Sequence, residues 1–169
     1  MRSVLGTLIC LLTATNAAAQ AAPSIEGVWK VAQRITPAGN VRAGGGAVTQ
    51  NHPAPSVLLF TKRYYSEILE MGGQPRAAVP PPANPRQLTN TEKIAWYNQW
   101  RPFTAHSGTY EIAGSILVRH PIVAKNLDVM TRGTGISFEV KFDDANTVWL
   151  IPTAEFAATE PRSKLTRLE

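Results

Sequence analysis

Residues 89–111 decide the fold class, and they read Thr89-Asn-Thr-Glu-Lys-Ile-Ala-Trp-Tyr-Asn-Gln-Trp-Arg-Pro-Phe-Thr-Ala-His-Ser-Gly-Thr-Tyr-Glu111. Thr89 and Glu92 have the spacing of a capping box, which predicts that a helix begins at this point. Pro102 disfavours helical geometry in the residue before it, so we expect the helix to end there. A strand that opens at Gly108 follows. The stretch therefore predicts one short aromatic helix that runs into a strand.

The remainder of the chain reads as short strands separated by turn signals. Predicted strands cover residues 24–35, 57–60, 64–70, 109–112, 115–120, 126–132, 136–142, 147–151 and 163–168, with loops at 37–56 and 72–85. Such regular spacing indicates an antiparallel barrel or sandwich. We predict an all-β barrel of about 8–9 strands with one short helix, whose Trp96, Tyr97 and Trp100 plug one end or side. A barrel of this size encloses packed side chains or one small ligand.

The first 19 residues have the pattern of a signal peptide. Arg2 precedes an apolar run over residues 4–12, which is too short to span a bilayer, and small residues lead to Ala19. We expect cleavage after Ala19 and a single mature domain over residues 20–169. Cys10 would leave with the signal, and exported proteins without disulfides are typical of bacteria. The sequence therefore predicts a periplasmic or secreted protein with no transmembrane segment in the mature chain.

Composition limits the classes of partner. Charged residues make up 17% of the chain and hydrophobic residues 44%, which argues against disorder. The basic residues are scattered and form no run or basic-aromatic stripe, so we expect no nucleic-acid partner. The excess of 17 basic over 12 acidic residues favours only a mild attraction to anionic ligands or surfaces.

Three motifs, taken in their order along the chain, resemble those of the bacterial lipocalin-like family. They are Gly27-Val28-Trp29-Lys30; the aromatic helix that runs into Gly108-Thr109-Tyr110-Glu111; and Val118-Arg119-His120, Thr131-Arg132-Gly133 and the terminal Leu165-Thr166-Arg167. The resemblance implies a barrel that is closed at one end and open at the other. It also implies that Trp29 packs across the closed end with Arg167 stacked on it, a cation–π contact of about 1 kcal/mol.

Six residues are candidates for contact with a ligand: His120, Arg132, Tyr110, Tyr65, Trp96 and Trp100. We predict that His120 ends the inward face of its strand, after Ile116 and Val118, where it would bond a ligand or act as a base. Arg132 would meet an anionic group, either on a ligand or on Glu111 or Glu139. The four aromatic residues would line a pocket, although aromatics of this kind also serve as core.

Other kinds of site find no support in the sequence. His52, His106 and His120 lack the spacing of a metal site, and no Gly-x-Ser-x-Gly motif is present. We therefore expect no metal and no cofactor. The leading hypothesis is that the barrel binds one small, mostly apolar ligand. The alternatives are a cofactor-free isomerase, cyclase or hydratase that uses the same cavity, and a packed barrel that acts on a protein partner through its loops.

Overall fold

The structure is a computed structural model that describes residues 23–38, 48–51, 55–71, 78–131 and 133–169. The predicted signal peptide, His52 and Arg132 lie outside the described residues. The described part contains nine strands and two helices, in the order β1 (Gly27–Thr36), β2 (Val48–Asn51), β3 (Ser56–Phe60), β4 (Tyr64–Glu70), α1 (Asn90–Trp100), β5 (Phe103–Ala113), β6 (Ile116–Ala124), α2 (Leu127–Met130), β7 (Ile136–Asp144), β8 (Thr147–Pro152) and β9 (Arg162–Arg167).

Eight of these strands form a closed antiparallel barrel. The sheet runs β1-β3-β4-β5-β6-β7-β8-β9, and pairing of β9 with β1 closes it. The ninth strand, β2, pairs with the second half of β1 at the edge of the barrel. The predicted all-β, lipocalin-like barrel is therefore confirmed. Among the described residues, no helix is long and apolar enough to cross a membrane.

One end of the barrel is closed by the predicted tryptophan–arginine stack. Trp29 is fully buried, and the Arg167 guanidinium carbon lies 4.1 Å from the centre of its ring. The guanidinium also donates to the carbonyl oxygens of Ser24, Glu26 and Ala145, at 2.6, 2.7 and 3.0 Å. These bonds tie the start of β1 to the end of β9, so both residues are structural.

Helix α1 begins as predicted but packs differently from the prediction. Thr89 and Glu92 form both bonds of the capping box, and Arg101 caps the other end. No side chain of α1 is buried, and Trp96 and Trp100 are 38% and 50% exposed. The prediction that these aromatic rings plug the barrel is therefore wrong. Helix packing depends on tertiary contacts that the local pattern does not contain.

Two further segments differ from the prediction. The strand predicted over residues 126–132 is replaced by the short helix α2, which buries Val129. The loop predicted over residues 37–56 contains β2, whose pairing with β1 is not visible in a segment of low apolar content. The strand β2 is therefore defined by its pairing with another strand rather than by its own sequence.

Candidate functional site

A cavity of about 200 Å³ lies inside the barrel, at the end opposite the Trp29–Arg167 stack. Its walls come from the ends of strands that reach this open end and from the connections between them. The apolar lining consists of Val31, Leu58, Leu69, Met71, Val129, Ile136, Phe138, Leu150 and Pro161, and the polar lining of Arg34, Glu67, Thr104, His106, Arg119, Asp128, Thr159, Glu160 and Ser163. The lining of the cavity is therefore half apolar and half polar, and it includes charged groups.

The centre of the polar lining is a buried ion pair between Glu67 on β4 and Arg119 on β6. His106 on β5 stands beside it, with Nε2 3.7 Å from the Glu67 carboxylate and Nδ1 hydrogen-bonded at 2.9 Å to the Tyr65 hydroxyl. The Arg119 guanidinium lies over the rings of Phe138 and Tyr65, 4.3 and 5.3 Å from their centres. Neighbouring strands thus assemble a charged cluster inside an apolar barrel.

Burial and the neighbouring charges determine the protonation states of the residues in this cluster. Burial raises the pKa of the Glu67 carboxyl, but Arg119, His106 and Arg34 outweigh it and hold the pKa at about 2. Burial lowers the pKa of His106, although Glu67 opposes this effect. Burial also raises the pKa of Tyr65 to about 12. At neutral pH we therefore assign an ionised Glu67, a neutral His106 and a protonated Tyr65 hydroxyl.

A second buried cation, Arg34, reaches the cavity because of a β-bulge. The pairing of β1 with β9 shifts register between Val31 and Gln33. Trp29 and Val31 face inward before the bulge, and Arg34 and Thr36 are the buried residues after it. A bulge inserts one extra residue and re-aims the side chains that follow, which is why such irregularities are frequent beside functional sites.

Both arginines keep unused donors in the cavity region. Arg34 and Arg119 are 9% and 5% exposed, and the buried Nε of each has no hydrogen-bond partner among the described residues. A buried donor without a partner costs about 1–3 kcal/mol. The guanidinium of each arginine therefore retains one N–H without a partner among the described residues, although Arg119 is also paired with Glu67.

The residues predicted from sequence as ligand contacts lie elsewhere. None of the five that the structure describes lines the cavity, although Tyr65 adjoins it through its bond to His106. Tyr110 belongs to the core at the closed end, where its ring packs edge-on against Phe60 and its hydroxyl donates to the Thr61 carbonyl. Trp96 and Trp100 lie on the exposed helix α1.

The predicted inward face of β6 is wrong by one residue. Leu117 and Arg119 are buried, whereas Ile116 is 37% exposed and His120 is half-buried. His120 instead packs against Gly135. A shift of one residue exchanges the two faces of a strand. The alternation Tyr65, Glu67, Leu69 in β4 is the signal that could have identified the site, because it places a carboxylate on an apolar face.

Comparisons with known proteins identify no family for this chain. No family model matches the chain, and no curated protein matches it. Among solved structures it is similar to a lipocalin-like protein from Bacteroides uniformis, with 13% sequence identity and a TM-score of 0.46, over 85% of this chain and 97% of that chain. The closed eight-strand order and the Trp29–Arg167 stack, rather than this similarity, define the barrel as lipocalin-like.

Proposed function

We propose that this barrel binds one small amphipathic molecule, with its apolar body against the cavity walls and an anionic head group at Arg34 and Arg119. The observation that carries the proposal is the pair of buried guanidinium groups, each with one unused donor, beside a cavity whose lining is half apolar. Guanidinium groups recognise carboxylates with charge-assisted hydrogen bonds. This geometry supports a lipocalin-like binding role and refines the mostly apolar ligand expected from sequence.

The balance of charge favours an anion over a neutral head group. Arg34 and Arg119 contribute two positive charges, and Glu67 is the one carboxylate of the buried cluster. Glu160 and Asp128 also line the cavity but are half-buried and exposed, and Glu160 stabilises the charged form of Arg34. An incoming carboxylate would give the buried Arg34 a further anionic partner beside Glu67 and Glu160, through charge-assisted hydrogen bonds.

The size of the cavity limits the ligand. Pockets for drug-sized molecules measure roughly 300–1,000 Å³, and this cavity measures about 200 Å³. A medium-chain carboxylic acid or a small aromatic acid fits this range better than a long lipid. The presence of a cavity also argues against the alternative of a packed barrel that acts only through its loops.

We also propose that the protein is exported from the cytoplasm of a bacterium. The support is the pattern of residues 1–19, with Arg2, an apolar run and the small residues before Ala19. N-terminal sequencing of protein from the periplasmic fraction would test it. A mature N-terminus within a few residues of position 20 is expected, and an intact Met1 in the cytoplasmic fraction would contradict it.

Two experiments test the proposed binding: analysis of any ligand carried by the native protein, and titration with acids and their neutral counterparts. Protein purified from its native compartment would be denatured and its extract analysed by mass spectrometry. A panel of medium-chain and aromatic acids, each with its alcohol or amide, would then be titrated. We expect acids to bind and their neutral counterparts to bind at least tenfold more weakly. Absence of any released ligand and of any binding across the panel would refute the proposal.

A second candidate function is supported by the His106–Tyr65 hydrogen bond beside the cavity. A neutral imidazole with a lowered pKa, oriented by a second polar group, can act as a general base. In the enzyme alternative the proposed base is therefore His106 rather than His120, and Arg119 would stabilise an oxyanion. The test is deuterium uptake from D2O into the bound acid. Uptake that His106→Gln abolishes would support catalysis, and an unchanged ligand mass would exclude proton abstraction from carbon.

A further inference from the structure

Helix α1 turns its aromatic side chains to solvent. Ile94, Trp96, Tyr97 and Trp100 are 60%, 38%, 65% and 50% exposed. The half-buried positions of the helix are Glu92, Ala95 and Gln99, which share the opposite side at helical spacing. The helix thus places small and polar groups towards the protein and large apolar groups outward, the reverse of an ordinary surface helix.

Basic residues share this outward face. Lys93, Trp96, Tyr97, Trp100 and Arg101 follow one another at spacings of three, one, three and one, which aligns them along a single side of the helix. The one acidic residue of the helix, Glu92, is engaged in the capping box at the start of the helix. We call these five residues the aromatic-basic stripe. It carries two positive charges, three aromatic rings and no acidic group.

The stripe stands beside the open end of the barrel. The Met71 amide donates to the Pro102 carbonyl at 2.6 Å, and Met71 itself lines the cavity. Lys125 holds the end of the helix by donating to the Trp100 carbonyl and, at 2.7 Å, to the Phe103 carbonyl. The segment after Lys125 is α2, whose Val129 also lines the cavity. The helix end is therefore fixed to the rim of the cavity.

Helix α2 adds to the apolar surface at this rim. Its Leu127 is 73% exposed and its Met130 is 38% exposed. Exposed apolar groups thus occur on both helices at the open end. Exposed apolar side chains grouped near one end of a fold are typical of a site of protein or membrane contact.

We infer that the aromatic-basic stripe docks the open end of the barrel onto an anionic phospholipid surface. Charge complementarity decides between occupants, because Lys93 and Arg101 would repel each other across a self-association interface of this basic chain but attract anionic head groups. Tryptophan and tyrosine rings suit the boundary between head groups and hydrocarbon. Docking in this way holds the cavity mouth against the bilayer, and it does not depend on what the cavity binds.

Vesicle binding tests the inference on the full mature protein. Co-sedimentation would be measured with vesicles of phosphatidylglycerol and phosphatidylethanolamine, and with vesicles of phosphatidylcholine alone. We expect binding to the anionic vesicles, weakened by high salt, and a blue shift of tryptophan fluorescence as Trp96 and Trp100 leave water. Lys93→Gln and Arg101→Gln should each weaken binding about fivefold, since one basic residue near such a surface contributes about this factor.

The aromatic residues provide the sharper test. Trp96→Ser with Trp100→Ser should weaken anionic vesicle binding by tenfold or more without changing the circular dichroism melt, because neither side chain is buried. Ile112→Ser is the matched control, since Ile112 is 48% exposed but lies in the β5–β6 hairpin at the closed end. It should bind vesicles as the unaltered protein does.

Three outcomes would overturn the inference. The first is no binding to either kind of vesicle. The second is binding that the double tryptophan variant and the Ile112 variant retain equally. The third is a dimer, measured by light scattering without lipid, that the double tryptophan variant converts to a monomer, which would make the stripe a self-association surface. None of these outcomes involves the cavity ligand, so the proposed function would be unaffected by them.

Discussion

Replacing Glu67 by glutamine should destabilise the barrel in a pH-dependent way. The carboxylate is buried and compensates Arg119 and Arg34, which keep its pKa at about 2 against an ordinary value of 4.5. Glutamine keeps the shape of the side chain and one acceptor but removes the charge. Arg119 then lacks its ion-pair partner, and Arg34 loses one of the two carboxylates that stabilise its charge, a loss that is strongly destabilising.

The magnitude follows from the pKa of Glu67. A carboxyl whose pKa is lower in the fold than in the unfolded chain stabilises the fold above the unfolded value, and this stability is lost as pH falls through the folded value. The difference between about 2 and 4.5 corresponds to about 3 kcal/mol at pH 7. At pH 3 roughly half of this contribution is lost. For a domain of about 150 residues, 3 kcal/mol lowers Tm by roughly 6–12 °C.

Urea and thermal unfolding at pH 7 and pH 3, followed by circular dichroism, would measure this effect. We expect the difference between Glu67→Gln and the unaltered protein to be about 3 kcal/mol at pH 7 and to fall by about half at pH 3. Glu139→Gln, at an exposed position of β7, should change stability by less than about 0.5 kcal/mol. A Glu67 variant as stable as the parent, or a difference independent of pH, would refute the reasoning.

Three further predictions concern the closed end, a strand crossing and the buried histidine. Arg167→Ala should lower the free energy of unfolding by about 2–3 kcal/mol in calorimetry, because it removes the stack on Trp29 and three hydrogen bonds. Arg162→Ala, which removes an exposed stack on Trp149, should lower it by under about 1 kcal/mol. Equal losses would contradict the structural role of Arg167. Gly108→Ala should lower the free energy of unfolding in urea by about 1–3 kcal/mol, because its Cβ would meet the backbone of β6. Gly133→Ala, whose Cβ would meet none of the described atoms, should lower it by no more than about 0.5 kcal/mol. Equal stability of the two variants would count against the close approach of β5 to β6 at Gly108. Because burial lowers the pKa of His106, the fold should lose stability as pH falls below 6.5, and His106→Gln should flatten the slope of stability against pH between pH 7 and 5 in urea unfolding. An unchanged slope would argue that folding does not lower the pKa of His106.

The sequence predicted the barrel because turn signals and strand lengths are local properties. The capping box at Thr89 and Glu92 and the proline after the helix define α1 without tertiary information. The stack of Arg167 on Trp29 followed from a resemblance of motifs, and the structure confirms it. These features need only short stretches of chain to be recognised.

The site was not predicted because it depends on which face of each strand points into the barrel. Arg34 faces inward because of the bulge after Val31, and the residue pattern of β1 does not predict this bulge. Arg119 was assigned to the outer face of β6 because periodicity alone does not say which face is buried, and its pairing with Tyr110 and Ile136 decides it. Pairing of distant strands, rather than residue type, brought the cluster together.

The preference of the cavity for an acid over its alcohol tests the proposed function most directly. Isothermal titration would compare a medium-chain acid with the alcohol of equal length, on the unaltered protein, on Arg34→Gln and on Arg162→Gln, whose guanidinium lies outside the cavity. We expect the acid to bind at least tenfold more tightly, and we expect Arg34→Gln alone to remove most of that preference. An acid and an alcohol that bind equally, or a preference that survives Arg34→Gln unchanged, would contradict recognition of an anionic head group by the buried arginines.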